Sequence, residues 1–426
     1  MKNIHVILLN YTSQTLKGAL LSLNLIRERI LDVTILRNEN ITSFSNYNNI
    51  IEETNYISVN DNDLGVTLNN LISNLSGRYI LFLHNQTLNS NIVSFDLNLS
   101  KGKKAITYSQ ILKKKVIQLP FFIEKDLLKD NKFFSKHELP FEEALFPSWL
   151  FKINKSYIKH TDQIIFSTIT QYKTTNIVQK FNFVEKYNSP SKKTTDLAPT
   201  FSVMISNYNM ERYIGSALNS CLLQHRQFNQ ILVIDDGSTD NSWEKMNEFS
   251  KYPHIRIFKK DNGGKAKALN YILPHINTEF VMELDADDWL DPDATLIVGD
   301  ILRTIDKEVS VLYGNLRTWK QSSINNIRYK GIAIGKQIRN KAELLSYQFP
   351  LGPRIYRTNL LKSNKGFPIV EFENGRMYED VSLLNHLLTK GNLLYRDFTI
   401  YNVREHGSSI TKKNHPNWND FLKYLN

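Results

Sequence analysis

Cysteine and long apolar runs are scarce in this sequence. Cys221 is the single cysteine among 426 residues, which excludes an internal disulfide and a cysteine-based zinc site. No stretch approaches the roughly 18 to 20 apolar residues of a membrane-spanning helix. The first residues, MKNIHVILLNY, lack the small-residue cleavage site of a signal peptide, and we expect them to form a strand. We therefore expect a cytoplasmic chain, soluble or peripheral at the inner face of the membrane.

Acidic residues are fewer than basic ones. The chain has 42 Asp and Glu against 53 Lys and Arg, a formal net charge of +11. Such a surplus favours polyanionic partners such as nucleotide diphosphates, anionic glycopolymers or acidic membrane surfaces. The basic residues are scattered, without a zinc-ligand spacing or an aromatic RNA-binding signature, so we expect no nucleic-acid binding.

Two segments about 200 residues apart resemble each other. Residues 4–25 and 201–223 both contain an apolar strand, an Asn-Tyr pair and a helical pattern. Three further matches follow in the same order and begin at Val33 and Ile231, Leu68 and Leu269, and Phe146 and Phe349. This spacing exceeds the roughly 20 to 50 residues of a solenoid repeat. We predict a duplicated domain, with domains at 1–190 and 201–426, a polar linker at 191–200 and a C-terminal helical tail.

Strand-like runs alternate with helical patterns in both halves. This rhythm predicts an α/β fold of two Rossmann-like domains in tandem, each with a mostly parallel sheet covered by helices. In such folds, ligands bind at the carboxyl ends of the strands. Four motifs of the second half follow the order SNYN at 206–209, DDGSTD at 235–240, DADD at 285–288 and YEDVSL at 378–383.

The first two motifs suit a nucleotide. Asn207 and Tyr208 follow a strand, where Tyr can stack on a base and Asn can bond it, although an ordinary turn also explains them. Asp235 and Asp236 end the next strand, and their carboxylates can accept hydrogen bonds from a uracil-type base and a ribose. Two glycines precede Lys265 at a helix start, so backbone amides and this cation could approach a phosphate. A solvated lysine at a turn is the alternative.

The DADD motif suits a divalent cation. Asp285, Asp287 and Asp288 place three negative charges within four residues, which is costly without a cation between them. Mn²⁺ or Mg²⁺ binds such oxygens and leaves positions for a diphosphate. A calcium loop is the rival, but its central Gly and terminal Glu are absent. His406 is a candidate third ligand, although a lone histidine is more often structural.

Glu379 and Asp380 open an amphipathic helical pattern. Helix capping explains acidic residues at this place. A carboxylate there can also take a proton from an attacking nucleophile. We therefore keep both residues as candidate catalytic groups, with Asp380 as the base.

The order NYN, DDGSTD, DADD, YEDVSL and REHGSSIT over 201–411 resembles the family 2 glycosyltransferases of the GT-A fold. The resemblance implies an inverting, metal-dependent hexosyl transfer from a nucleotide-diphosphate sugar, UDP-linked, in cell-surface glycan biosynthesis. The acceptor stays open between a glycan, a glycopolymer, a lipid-linked glycan and a peptide. The predicted roles are nucleotide-sugar binding by Asn207, Tyr208, Asp235, Asp236, Lys265 and Asp285, metal binding by Asp285, Asp287 and His406, and catalysis by Asp380 and Glu379. The sequence Gly352–Arg354 departs from the small-residue pair often found in the acceptor wall.

The first half lacks this chemistry. The positions of the two acidic motifs are held there by Arg37, Asn38, Glu39, His84, Asn85 and Gln86. Asp162 is a candidate for the base position, but a base without a metal-held donor has nothing to activate. We expect a degenerate, pseudo-glycosyltransferase domain that packs against the active one, binds acceptor or mediates assembly.

Two other classes of function are weighed. A noncatalytic sugar- or polymer-binding scaffold of two transferase-like modules is the alternative. Sugar-nucleotide synthesis is disfavoured, because no Gly-rich, Arg-containing loop follows the first strand.

The last residues place four apolar side chains at helical spacing, Trp418, Phe421, Leu422 and Leu425. They predict a docking helix for core packing or for subunit contact in a homo-oligomer, in preference to peripheral membrane contact.

Overall fold

A computed structural model of the chain describes residues 2–37, 54–112, 114–162, 165–168, 174–188, 199–323, 326–346, 351–370, 378–407, 420–421 and 423. The chain divides into two compact units, Met1–Asn188 and Ser189–Asn426.

The first unit is an α/β structure. Its strands are β1 (Ile4–Leu9), β2 (Ile30–Arg37), β3 (Thr54–Ser58), β4 (Tyr79–His84), β5 (Gln86–Leu88), β6 (Ala105–Leu112), β7 (Lys115–Glu124), β8 (Ile158–Thr161) and β9 (Phe166–Thr168). Its helices are α1 (Ser13–Ser22), α2 (Leu64–Asn74), α3 (Lys125–Asp130), α4 (Leu145–Lys152) and α5 (Thr175–Val184). The main sheet has the order β3-β2-β1-β4-β7-β6-β8, and β5 pairs with β9.

The second unit is built in the same way. Its strands are β10 (Phe201–Asn207), β11 (Gln230–Asp236), β12 (Ile255–Lys260), β13 (Phe280–Asp285), β14 (Trp289–Leu290), β15 (Val309–Ser323), β16 (Asn326–Ala333), β17 (Ile355–Arg357) and β18 (Asn392–Glu405). Its helices are α6 (Ile214–Leu222), α7 (Ser242–Asn247), α8 (Lys265–Ile272), α9 (Ala294–Leu302), α10 (Lys341–Leu345), α11 (Thr358–Ser363) and α12 (Glu379–Leu388). The sheet has the order β12-β11-β10-β13-β17-β15-β18-β14, and β16 extends it beside β15.

The two sheets share strand order and strand direction over seven positions. In the first unit, β3, β2, β1 and β4 run parallel, β7 is antiparallel to both β4 and β6, and β8 is parallel to β6. In the second unit, β12, β11, β10, β13, β17, β15 and β18 follow the same pattern. The predicted α/β fold class with mostly parallel sheets is confirmed. That the units arose by duplication stays a prediction.

Burial on both faces explains why the central strands are continuous apolar runs. On β10, Val203 and Ile205 pack into one core cluster and Met204 packs into the other, on the opposite face of the sheet, because successive strand residues alternate in direction. Helix α6 contributes to the first cluster and α8 to the second. Strands covered on both sides have no polar face. Polar side chains therefore emerge where the strands end.

The C-terminal prediction is described only in part. Phe421 is fully buried and stacks on Tyr378 with ring centroids 4.3 Å apart, a contact within the second unit. Trp418, Leu422 and Leu425 lie outside the described residues. Within the ranges that the structure describes, no helix has both the length and the apolar character needed to cross a membrane.

Candidate functional site

The carboxyl ends of three neighbouring strands bring the first site residues together. Asn207 of β10 lies opposite Asp235 of β11 in the parallel register. On the other side of β10, Ser206 lies opposite Asp285 of β13. Residues from the three motifs SNYN, DDGSTD and DADD therefore meet at one edge of the sheet.

Asn207 and Asp235 form the buried floor of this edge. The Asn207 side-chain Nδ2 donates to Asp235 Oδ1 at 3.0 Å and to Ser238 Oγ at 3.1 Å. The Asp235 carboxylate also accepts from the Ser238 hydroxyl at 2.5 Å and from its backbone N–H at 3.1 Å. Among the described residues, Asn207 Oδ1 is buried and has no hydrogen-bond partner. Tyr208, the next residue, is 46% exposed.

Asp236 is held by groups of the glycine-containing turn. Its carboxylate accepts from Lys260 Nζ at 2.6 Å and from the backbone N–H groups of Gly263 and Gly264 at 3.0 and 2.7 Å. The backbone amides of the two glycines, which we expected to approach a phosphate, thus donate to the Asp236 side chain in this structure. Lys260 is not predicted by any motif in the sequence, but its place opposite Asp236 in β12 explains the contact.

Lys265 begins α8 and reaches the DADD strand. Its Nζ lies 2.7 Å from Glu283 Oε1 and 2.5 Å from Asp285 Oδ1. Burial alone would lower the pKa of Lys265, but Asp285 and Glu283 outweigh burial and raise it well above its ordinary value. Lys265 is therefore a charged member of the site and not a freely solvated lysine.

Glu283 is the centre of a buried ionic network that sequence reasoning missed. It lies two residues before Asp285, on the same face of β13. Arg354 binds it with two parallel hydrogen bonds, from Nε at 3.0 Å and Nη2 at 2.9 Å, and Tyr356 OH donates at 2.9 Å. Burial by itself raises the pKa of Glu283, but Arg354 and Lys265 lower it well below its ordinary value. Glu283 is thus a permanent anion inside the unit.

Asp380 joins the same network from α12. Its Oδ2 accepts from Arg354 Nη1 at 3.1 Å, and its Oδ1 accepts from the Val381 N–H at 2.8 Å. Beside it, burial and the negative charge of Asp380 raise the pKa of Glu379 to about 7. Asp380 is therefore tied, through Arg354, to the strand that carries Asp285.

The acidic motif itself separates into two parts. Asp287 Oδ2 lies 2.9 Å from His406 Nε2, whereas Asp285 is paired with Lys265. The His406 ring packs on Tyr213 with centroids 4.7 Å apart. In the part of the chain that the structure describes, no three His, Cys, Asp or Glu side chains gather as a metal-binding group. The structure thus brings together Asp287 and His406 out of the three predicted ligands.

Asp288 and Arg404 support the motif from beneath. Asp288 Oδ1 accepts from the Arg404 N–H, and the Arg404 guanidinium donates to the Asp287 carbonyl, both at 2.7 Å. Burial first, and then the charges of Asp287 and Asp285, raise the pKa of Asp288 well above its ordinary value. Burial lowers the pKa of Arg404 to about 10. The ionised form of Asp288 is therefore disfavoured at this edge.

The residues present fit a divalent cation. A carboxylate oxygen and an imidazole nitrogen, as in Asp287 and His406, are donors that Mn²⁺ accepts. Burial and the charges of Asp287 and Asp285 raise the pKa of Asp288, so a cation at this edge would favour its ionised form. Asp285 lies beside this pair in sequence, and its carboxylate is 39% exposed.

At the corresponding edge of the first unit, the described motif residues His84 and Gln86 are packed against other side chains and carry no acidic group. Burial lowers the pKa of His84 to about 4, and its ring meets Phe146 edge-on at 4.6 Å. Gln86 Oε1 accepts from Tyr108 OH at 3.0 Å, and its carbonyl accepts from Tyr11 OH at 2.5 Å. The Asp162 side chain is 94% exposed and lies 3.2 Å from His160. The side chain of Arg37, and the whole of Asn38 and Glu39, lie outside the described residues.

Comparison with known proteins decides the family of the second unit. Residues 202–369 match the model of the family described as Glycosyl transferase family 2. This stretch is a family 2 glycosyltransferase domain. The predicted family is therefore confirmed for the second unit. The match to the family 2 domain ends before Glu379, Asp380 and His406. The roles of all the predicted site residues stay predictions.

Relatives of the family 2 domain are glycosyltransferases. The chain is 34% identical over 128 residues to an uncharacterised glycosyltransferase of Rickettsia conorii, covering 30% of this chain and 21% of the relative. It is 25% identical over 232 residues to the glycosyltransferase GlyG of Streptococcus pneumoniae, covering 51% of this chain and 74% of the relative. The first relative is thus matched over only about a fifth of its length. A solved structure of S. aureus TarS, residues 1–349, aligns with 22% identity and a TM-score of 0.39, covering 48% of this chain and 60% of that one.

Proposed function

We propose that the protein is an inverting, metal-dependent glycosyltransferase that uses a nucleotide-diphosphate sugar, UDP-linked, as the hexosyl donor. The acceptor carries a hydroxyl and belongs to a glycan, a glycopolymer, a lipid-linked glycan or a peptide. The observation that carries the proposal is the convergence of Asn207, Asp235, Asp285, the Asp287–His406 pair and Asp380 around one sheet edge of a family 2 domain.

The nucleotide end of the site is proposed at Asn207 and Tyr208. Asn207 Oδ1 is a buried acceptor without a partner among the described residues, and a uracil N–H can satisfy it. A buried acceptor left unpaired costs about 1–3 kcal/mol, so a base that donates there gains that energy. The exposed Tyr208 ring offers a face for stacking. Asp235 and Asp236 accept hydrogen bonds from the surrounding turns. Their proposed role in binding is to accept hydrogen bonds from the base and the ribose.

The diphosphate end is proposed at the DADD motif. Asp287 and His406 would hold Mn²⁺ or Mg²⁺, with Asp285 assisting. When bound, the cation supplies positive charge that neutralises the leaving diphosphate. Lys265, which contacts Asp285, adds a fixed positive charge at the same edge. Because the Lys265 charge is already in place in the folded protein, it need not reorganise during the reaction.

The acceptor end is proposed at Asp380. In the reaction the acceptor oxygen forms a bond to the anomeric carbon, the bond from this carbon to the diphosphate oxygen breaks, and the acceptor proton passes to Asp380. Attack opposite the leaving group inverts the anomeric carbon. Hydrogen bonds from Arg354 and from the Val381 N–H hold the carboxylate oxygens. Glu379 is the residue next to the proposed base, and the negative charge of Asp380 contributes to its raised pKa.

The first unit is proposed to be a degenerate transferase unit that binds acceptor or mediates assembly. At its sheet edge the neutral His84 and the Tyr11–Gln86 contact replace the acidic motifs. These groups offer no anionic ligand for a cation, so we expect no donor binding there.

The test is a donor screen on the purified chain. UDP-, GDP- and CMP-sugars are added with Mn²⁺, with Mg²⁺ or with chelator, and both the melting temperature and donor hydrolysis are recorded. We expect one donor class to raise the melting temperature only with metal, by an amount that grows with ligand concentration. Asp380→Asn should keep this rise and lose transfer, whereas Asp287→Asn should lose the rise.

Two results would contradict the proposal. If no donor raises the melting temperature with either metal, the proposed donor site is wrong. Stabilisation without any hydrolysis or transfer, in the wild type as in Asp380→Asn, favours the noncatalytic scaffold.

A further inference from the structure

We propose that Arg354 is a positioning residue, which fixes the Asp380 carboxylate in the orientation needed for proton transfer. The inference rests on the proposed function, because it assumes that Asp380 is the base. Arg354 interrupts the small-residue pattern that the sequence was expected to show in the acceptor wall. Its contacts explain why a long charged side chain stands there.

Arg354 is anchored to β13 by main chain and side chain together. The Glu283 N–H donates to the Arg354 carbonyl at 3.1 Å. In return, the guanidinium binds both carboxylate oxygens of Glu283 through Nε and Nη2, at 3.0 and 2.9 Å. The arginine side chain is only 11% exposed. A planar guanidinium with two such bonds cannot rotate, so the direction of its remaining N–H groups is set.

The remaining nitrogen of this fixed group points to the proposed base. Arg354 Nη1 donates to Asp380 Oδ2 at 3.1 Å and to the Leu351 carbonyl at 3.1 Å. The other oxygen, Asp380 Oδ1, accepts from the Val381 N–H at 2.8 Å. One carboxylate oxygen is thus fixed by its own helix start and the other by a residue anchored on β13. Arg354 therefore sets the position of the base relative to the strand that ends in Asp285.

A purely structural role makes a different prediction. If Arg354 only compensated the buried charge of Glu283, removing both charges would restore function, since buried ion pairs can often be replaced without loss of stability. If Arg354 positions Asp380, removing both charges leaves the base unheld. Glu283 also has Lys265 and Tyr356 as partners, so the double variant keeps a bonded environment.

The experiment compares four variants with the wild type: Arg354→Gln, Arg354→Lys, the double variant Arg354→Gln/Glu283→Gln, and Arg357→Gln. Arg357, three residues after Arg354 at the end of β17, is a matched control, because it is also a buried arginine paired with a glutamate, Glu279, at 3.2 Å. Donor turnover and the donor KM are measured for each folded variant. Crystal structures of the wild type and of the double variant then show the Asp380 carboxylate directly.

We expect Arg354→Gln and the double variant to lose about 100-fold in kcat with a donor KM changed less than about twofold, the loss typical of a group misplaced by about 1 Å. Arg354→Lys should lose about tenfold, because a lysine keeps the charge but cannot hold both carboxylates at once. Arg357→Gln should lower the melting temperature and leave kcat within about twofold. In the double-variant crystal, Asp380 should leave its wild-type position.

A double variant with wild-type kcat, or a crystal in which its Asp380 has not moved, would overturn the inference. The crystal comparison stands even if no donor is turned over. A wild type that holds Asp380 on Arg354 but transfers no sugar would refute the proposed function and leave the positioning contact established.

Discussion

Glu379 provides a pH-dependent test of the site. Burial, followed by the charge of Asp380, raises its pKa from an ordinary value of 4.5 to about 7. Between these pH values the folded protein holds a proton that the unfolded chain has released. The stability that Glu379 contributes is therefore fully present below pH 4.5 and is lost as the pH rises through about 7.

The size of the effect follows from the same shift. A change from 4.5 to about 7 corresponds to about 3 kcal/mol at most, because one pKa unit is about 1.4 kcal/mol. In a unit of this size, 1 kcal/mol changes the melting temperature by about 2–4 °C. Glu379→Gln keeps the shape of the protonated side chain and cannot ionise. We expect wild type and variant to melt together near pH 4, and the variant to melt roughly 6–12 °C higher at pH 8.

The assay is differential scanning calorimetry in metal-free buffers from pH 4 to pH 8. Glu248→Gln, at an exposed position of the same unit, corrects for the general effect of removing one negative charge. If the difference in melting temperature between wild type and Glu379→Gln stayed constant over this pH range, the raised pKa that we assign to Glu379 would be wrong. A wild type that gained stability towards pH 8 relative to the variant would contradict it more strongly.

Two further predictions concern the stability of the site. Lys265→Met should lower the free energy of unfolding in metal-free buffer by about 1–3 kcal/mol, because it leaves Asp285 without its cation and Glu283 with one cation fewer; an unchanged denaturation midpoint would contradict the ionic network. Gly237→Ala should cost about 1–3 kcal/mol, because φ is 73° and a Cβ would lie 2.5 Å from the Asn262 nitrogen. Gly102→Ala is the control, since φ is 82° with nothing within 4 Å of a Cβ, and equal losses in both variants would show that the close contact at Gly237 is absent.

The candidate site was predictable from sequence where its residues stand at the ends of buried strands. Apolar runs such as Ile231–Ile234 are followed at once by Asp235 and Asp236, and parallel strands bring such ends to one edge. The proximity of Asp287 and His406 was also predicted, although the two residues are 119 positions apart in the sequence. That inference came from resemblance to a family, because spacing alone does not place a distant histidine.

Other members of the site carried no signal in the sequence. Glu283 lies inside an apolar strand, and its partner Arg354 is 71 positions away from it in the sequence. Arg354 stands beside β17, which is inserted next to β13 in antiparallel orientation. No local pattern predicts this insertion, so neither the ion pair nor its contact with Asp380 could be read from the order of residues. The same holds for Lys260, whose contact with Asp236 depends on the pairing of β12 with β11.

The sequence by itself determined which segments are buried strands, which side chains stand at their ends, and that these side chains include more carboxylates than a turn requires. Hydrophobic periodicity and motif order are local properties, and they are written in consecutive residues. The tertiary structure alone decided which carboxylates are neutralised, by Lys260, Lys265 and Arg354, and which are disfavoured in their charged form, as Asp288 is. Electrostatic pairing depends on distances across the sheet, and those distances exist only once strands far apart in the chain have taken their places.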